Sequence, residues 1–247
     1  MRVGLTAVLR AEWTKLRTLR STWWCSAVYL LVVGAFGWLA AATTPTAPDP
    51  DAAVGVALIG FAFGQVVLVV LGVLAVTADL GSGMALSSLV AVPRRTRLLV
   101  AKTAVVAAWA ALLTALLVAA CALAARTLVA VPGGVPLDDP DVLRSAGLQV
   151  AGAVLVTVLA AGLGAVLRST AGALGLGVAL VFVAPPALAL AGGRTAELLS
   201  QALPALRVGG EPFLAVPTSW QVGLAVSAAW AVAAWVLGAG LVERRDA

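Results

Sequence analysis

A short polar stretch between two long apolar runs holds the residues best suited to meet a partner protein. It covers residues 79–102 and reads DLGSGMALSSLVAVPRRTRLLVAK. An acid and two glycines open it, a brief amphipathic segment over residues 84–92 follows, and it closes on three arginines and a lysine. An apolar face of this kind needs a partner when it is exposed to water. The stretch is therefore predicted to be a docking loop with a short helix in it.

The candidate contact residues of this loop combine one acid, one glycine, a small apolar face and a basic cluster. They are Asp79, Gly83, Met84, Ser88, Leu89, Arg94, Arg95 and Arg97. A second interpretation stays open, in which the basic cluster is a solvated patch that binds lipid headgroups.

The composition places this loop in a membrane protein. Hydrophobic residues make up 62% of the 247 residues, charged residues only 11%, and mean hydropathy is +1.07. Soluble domains carry about 25% charged residues. A membrane helix needs about 20 apolar residues, so the chain is predicted to be an all-α membrane protein with six transmembrane helices.

The apolar runs divide the chain into an amphipathic segment, residues 1–22, and a six-helix membrane domain, residues 23–247. Pro185 and Pro186 are expected to kink or end the fifth span. Residues 192–217 are predicted to re-enter the outer leaflet, and residues 79–102 to form the cytoplasmic loop. The six spans are predicted at about 23–42, 52–78, 103–125, 145–167, 171–190 and 219–241.

The basic residues predict the orientation of these spans. In this arrangement twelve of the sixteen lysines and arginines fall on one side of the membrane. Basic residues favour the cytoplasmic side, so both termini and the loop at 79–102 are predicted to be cytoplasmic. The excess of Ala, Val, Leu and Arg further suggests the plasma membrane of a bacterium with a GC-rich genome, such as an actinobacterium.

The N-terminal segment has the pattern of an amphipathic helix at the membrane surface. Apolar residues recur every three or four positions between residues 5 and 20. Glu12 falls in the middle of the apolar stripe, and two interpretations are open. Its carboxylate either pairs locally with Lys15 or reaches water, or it is buried and pairs with an arginine of the loop. The residues of interest are Glu12, Trp13, Lys15 and Arg17. Such a helix is also expected to contact membrane lipid.

Several kinds of chemistry find no support in the sequence. The chain has no histidine, which excludes a histidine-based catalytic site or metal site, and no P-loop motif for ATP. The carboxylates lie at the ends of spans, so we expect no proton relay across the bilayer. We therefore predict no catalytic residue, metal or cofactor on this chain, and no nucleic-acid partner. Cys25 and Cys121 fall near opposite faces of the bilayer and are predicted to be free thiols.

The order of these features resembles the type-2 ABC transporter permeases, the membrane subunits of bacterial exporters. The opening RAEWTKLRTLRSTWW, six spans with both ends inside and the central loop carry the resemblance. In that family the second span ends in an acid–aromatic–Arg–x–Gly pattern, followed by a short helix, Pro-Arg-Arg and a lysine. Pro93-Arg94-Arg95 and Lys102 match, together with Asp79, Gly83 and Ser88-Leu89. Asp79 replaces the commoner Glu, and Gly81 stands where Arg is usual.

The resemblance implies a partner ATPase subunit that binds ATP and magnesium, and a second permease copy, identical or related. The loop would be the coupling element, and a lipophilic or amphipathic cargo would move along the interface between the permeases. Candidate residues of that path are Tyr29, Trp38, Phe61 and Gln65, for which ordinary helix packing is the alternative. A membrane scaffold or sensor that recruits an ATPase without transport is the competing function, and a passive pore is disfavoured because the spans lack a polar stripe.

Overall fold

The computed structural model describes residues 5–81, 95–204 and 219–244. These residues are almost entirely helical, and six of their helical segments are long and apolar enough to cross a membrane. The helices are α1 (Leu5–Thr18), α2 (Arg20–Thr43), α3 (Pro50–Ala57), α4 (Gly60–Gly81), α5 (Arg95–Leu128), α6 (Pro140–Leu167), α7 (Thr170–Val178), a π-helix (Ala179–Val183), α8 (Ala184–Ala191), α9 (Gly193–Gln201) and α10 (Trp220–Arg244).

Helix α6 is the centre of the bundle and packs against α4, α5 and α10. Small residues permit these close approaches. A Cβ atom added at Gly72 of α4 would lie 2.5 Å from the backbone oxygen of Thr157 in α6. One added at Gly162 of α6 would lie 2.7 Å from the backbone of Ala234 in α10. Backbone contact of this closeness fixes the positions of α4 and α10 on the central helix.

Gly60 and Gly64 of α4, which have the GxxxG spacing, also permit close helix packing. An added Cβ at Gly60 would meet the backbone oxygen of Val33 at 2.4 Å, and one at Gly64 would meet the side chains of Val33 and Tyr29. Helix α2 therefore lies directly on α4 through this face.

The loops at the opposite end of the bundle from the 79–102 stretch are joined to each other. Thr46 and Ala130 form an isolated parallel β-bridge. The amide of Ala47 donates to the carbonyl of Ala130, and the amide of Ala130 donates to the carbonyl of Pro45. Ser145 adds a hydrogen bond to Asp51 at 2.7 Å. The backbone bonds tie the loop after α2 to the loop after α5, and the Ser145 bond ties α6 to α3.

Several helix ends differ from the sequence prediction. The predicted second span at 52–78 is divided into α3 and α4 by a break at Leu58 and Ile59. Helix α5 begins at Arg95, so the residues from Arg95 to Lys102 extend the third span instead of closing a loop. Arg, Leu and Lys are good helix formers, and an adjoining apolar run lets the helix start early. At the other end of the predicted loop, Asp79 belongs to α4.

The fifth span also differs from expectation at Pro185 and Pro186. The helix neither ends nor breaks there but changes to a π-helix just before the prolines and continues to Ala191. Of the predicted outer segment 192–217, residues 193–201 form α9, and the stretch 205–218 lies outside the described residues. The fourth span begins at Pro140, earlier than predicted.

Candidate functional site

Helix α1 lies against α5 along its apolar stripe. Val8 and Leu16 are buried in this contact, and Leu9 and Trp13 are partly buried beside the core. The hydrophobic periodicity of the N-terminal segment predicted this face. The stripe includes Glu12, which is 14% exposed.

Glu12 forms an ion pair with Lys102 of α5. The Lys102 Nζ atom lies 3.1 Å from Oε2 of Glu12, and the lysine side chain is only 7% exposed. The sequence left two interpretations of Glu12 open, local pairing with Lys15 or contact with water, and burial with an arginine of the loop as partner; the structure supports burial. That arginine is wrong for this contact, because the pairing residue is the lysine that ends the same stretch. Burying two charges is tolerable only when they are paired, so this contact fixes the position of α1 on α5.

A cavity of about 50 Å³ lies beside the pair, at the junction of α1, α2, α4 and α5. The side chains of Lys15, Thr22 and Cys25 line it together with the ion pair, and Ala78 of α4 closes one wall. The ion pair and the last turns of α4 therefore line the same cavity. The loop predicted to contact the ATPase follows directly after α4.

Trp109 of α5 joins α1 and α2 to the same junction. Its ring makes edge-on contacts with Trp13 of α1 and Trp23 of α2, with centroids 5.7 and 6.0 Å apart. Its indole N–H donates to the Ser26 hydroxyl at 3.0 Å. Trp23 in turn donates to the backbone carbonyl of Arg17 at 2.8 Å. We call the group of Glu12, Trp13, Lys102 and Trp109 the α1–α5 junction.

Sequence reasoning missed Trp109, although a signal was present. It is a tryptophan well inside an apolar span, away from the membrane surface where this residue is enriched. A buried indole N–H needs an acceptor, which points to an internal polar contact.

The loop residues predicted to contact a partner are only partly described. Gly83, Met84, Ser88, Leu89 and Arg94 lie outside the described residues. Asp79 is in the last turn of α4 and Arg95 is the first residue of α5. Arg97 lies two residues into α5 and is half-buried. Helices α4 and α5 therefore fix the two ends of the loop. The second end, at residue 94, lies eight residues before Lys102 in the sequence.

The residues predicted to line a transport path divide into two groups. Tyr29 and Phe61 are buried inside the chain, with their rings in edge-on contact. The Tyr29 hydroxyl lies 2.8 Å from the hydroxyl of Thr114. Trp38 is 58% exposed and Gln65 is half-buried. The buried pair is placed as ordinary packing predicts, whereas Trp38 and Gln65 reach the surface of the bundle.

A family model described as ABC-2 family transporter protein matches residues 8–186. The chain belongs to this family. The match begins in α1, includes the α1–α5 junction and ends in α8, so it covers the ion pair and the loop between α4 and α5. No curated protein matches the chain. The family consists of membrane permeases, and the protein is the membrane subunit of an ABC transporter.

Within the part of the chain that the structure describes, Cys25 and Cys121 of the permease are free thiols, as predicted. The described residues also contain no cluster of three or more potential metal ligands.

Proposed function

We propose that the permease exports a lipophilic or amphipathic cargo across a bacterial plasma membrane, driven by a separate ATP-binding subunit. The observation that carries this proposal is the α1–α5 junction. The buried ion pair and Trp109 fasten α1, α2 and α5 together beside the loop at residues 82–94. A force applied to that loop would reach several spans at once, because packed helices move as units.

The coupling role of the loop rests on its sequence and on where its ends lie. An ATPase can shift the membrane domain only through contacts that differ between its states. In a short helix Met84 and Leu89 would supply an apolar face, and each of these side chains buried against the ATPase would contribute about 1.5–3 kcal/mol. The arginines Arg94, Arg95 and Arg97 supply charge that depends on salt concentration.

The orientation with both termini inside remains part of the proposal and has a direct test. Single cysteines are placed at Pro48 and Asp138, both exposed at the proposed outer end, and at Thr18, exposed at the proposed inner end. The background carries Cys25→Ala and Cys121→Ala. An impermeant maleimide added to intact cells should label the first two positions only. Labelling at Thr18 would overturn the orientation.

The coupling test uses substitutions in the loop. The double variant Met84→Asp/Leu89→Asp should insert and fold normally but lose its co-purifying ATPase and its transport activity. Leu137→Asp, an apolar-to-acid change in the loop after α5, is the matched control and should keep both. If the double variant retains its ATPase and its transport, the loop is not the coupling element and the lipid-headgroup interpretation replaces it.

A further inference from the structure

A side-chain hydrogen bond joins the last turns of α4 to the start of the fifth span. The hydroxyl of Thr170, the first residue of α7, lies 2.9 Å from the hydroxyl of Thr77 in α4. Thr77 is 2% exposed, and its hydroxyl donates to the carbonyl of Val73 at 3.0 Å. A threonine hydroxyl has one hydrogen to donate. Thr77 therefore accepts the second bond, and Thr170 is its donor.

Thr77 lies where α4, α6 and α7 meet. A Cβ atom added at Gly164 of α6 would lie 3.3 Å from the Thr77 side chain. Helix α7 packs against both α4 and α6, and the side chain of Ser169 caps its first turn. The bond from Thr170 therefore crosses between two packed helices, four residues before α4 ends at Gly81.

Thr170 is the one residue of the fifth span with a polar side chain. Residues 171–191 are all Ala, Gly, Leu, Val, Phe or Pro. A side-chain hydrogen bond from this span to another helix can therefore come only from Thr170. The other side chains make apolar contacts, which are not directional, whereas a hydrogen bond requires a defined distance and angle. The Thr170 bond thus specifies which part of α4 the fifth span faces.

The rest of the fifth span is weakly enclosed by the chain. Only 17% of its most apolar stretch is buried, against 44% in the span formed by α4. A turn of two residues, Arg168 and Ser169, connects it to α6. The end of the span that is far from this turn is therefore the part that can change its distance from α6 most easily.

We propose that the hydrogen bond from Thr170 to Thr77 makes the fifth span follow the last turns of α4 when the loop at residues 82–94 is displaced. Both threonines are positioning residues in this account. A helix moves largely as a unit, so a displacement that enters α4 at Gly81 reaches Thr77 and passes to Thr170. The inference rests on the proposed function, because the ATPase must act on that loop.

The test measures the position of the fifth span relative to α6 in the full-length permease bound to its ATPase in lipid nanodiscs. Spin labels are attached to Leu143→Cys, near the start of α6, and to Leu190→Cys, near the far end of the fifth span. These positions are 56% and 75% exposed. The background carries Cys25→Ala and Cys121→Ala. Electron paramagnetic resonance should show a change in the distance between the labels when ATP and vanadate trap the complex.

The variants separate this bond from helix packing in general. Thr170→Val removes the bond with a side chain that is also β-branched, and it leaves the Thr77 hydroxyl bonded to Val73. It should keep the bound ATPase and ATP hydrolysis but lose the distance change, and Thr170→Ser should restore that change. Thr114→Val is the matched control, because it removes the 2.8 Å bond between the hydroxyls of Thr114 in α5 and Tyr29 in α2. It should keep the distance change.

A distance change in Thr170→Val as large as in the unmodified permease would overturn the proposal. So would an equal loss in Thr114→Val, or the absence of any change on trapping in the unmodified permease. Export is scored separately, by ATP-dependent uptake into inverted vesicles. Uptake together with a distance change that ignores Thr170 would refute the link and leave export standing. The predicted distance changes in a complex that takes up none of the lipophilic or amphipathic compounds offered would refute export and leave the link standing.

Discussion

The interior of the bundle and the surface formed by α2, α4 and the fifth span differ in how much of each helix is buried within the chain. In α6, 61% of the most apolar stretch is buried, against 17% in the fifth span. Inside the bundle, Glu12 forms an ion pair with Lys102, and the Tyr29 hydroxyl forms a hydrogen bond with the Thr114 hydroxyl. On the surface, Phe36 and Phe63 are 43% and 39% exposed and stack on each other. The paired polar groups hold helices in place inside the bundle, whereas the fifth span has fewer buried contacts within the chain.

The two regions also differ in how firmly contacts within the chain hold their helices. The α1–α5 junction is suited to transmit a displacement, because its contacts fasten three helices beside the proposed coupling loop. In the fifth span only 17% of the most apolar stretch is buried, so this span is less restrained by contacts within the bundle.

The largest expected effect comes from breaking the buried ion pair. Lys102→Met should destabilise the protein by about 3–5 kcal/mol, because the carboxylate of Glu12 would stay buried without its partner. The double variant Glu12→Gln/Lys102→Met should regain most of this loss. Unfolding free energies from detergent titration with sodium dodecyl sulfate would measure both.

Arg126→Met is the matched control for that experiment. Arg126 is in the last turn of the same helix and is exposed, so its loss should change stability by less than about 1 kcal/mol. A cost for Lys102→Met no larger than that of Arg126→Met would remove the ion pair from the account.

Two glycine substitutions test the difference in packing. Gly72→Ala should cost about 1–3 kcal/mol, because the new Cβ would lie 2.5 Å from the Thr157 carbonyl oxygen and α4 would have to move. Gly175→Ala in α7 meets nothing within 4 Å. It should be neutral or stabilise by up to about 1 kcal/mol through reduced backbone entropy. Thermal unfolding of the two variants would compare them, and equal shifts would contradict the packing difference.

The smallest expected effect concerns the hydrogen bond between Tyr29 and Thr114. A double-mutant cycle with Tyr29→Phe and Thr114→Val should give a coupling energy of about 0.6 kcal/mol, and at most about 1.7 kcal/mol, as for other hydrogen bonds between membrane helices. The control cycle pairs Tyr29→Phe with Thr127→Val at the exposed end of α5 and should give no coupling. A coupling of zero in the first cycle would mean that this contact contributes nothing to the interior.

Periodicity and charge made part of this molecule predictable. The apolar stripe of α1 and the position of Glu12 within it follow from residue spacing alone, and the apolar runs predicted the six long apolar helices. The identity of Lys102 as the ion-pair partner did not follow, because it depends on where α5 starts. The basic run at 94–102 was interpreted as a loop, although most of it continues the helix.

The remaining differences depend on tertiary contacts. Pro185 and Pro186 signal an irregular backbone, but the sequence does not show that a π-turn absorbs it. No proline marks the break at Leu58 and Ile59 in the sequence. The break lies just before Gly60, where α4 begins and packs closely against α2. The ring contacts of Phe63 with Phe36 and with Phe182 join three distant segments, so they become visible only once the helices are assembled.

ATP-dependent uptake into inverted membrane vesicles tests the central claim most directly. Vesicles that contain the permease and its ATPase should accumulate at least one lipophilic or amphipathic compound when ATP is added, and should lose this activity in the Met84→Asp/Leu89→Asp variant. Vesicles with a catalytically inactive ATPase supply the baseline. Recruitment of an active ATPase to the membrane, with no ATP-dependent uptake of any lipophilic or amphipathic compound offered, would contradict export and identify the protein as a scaffold.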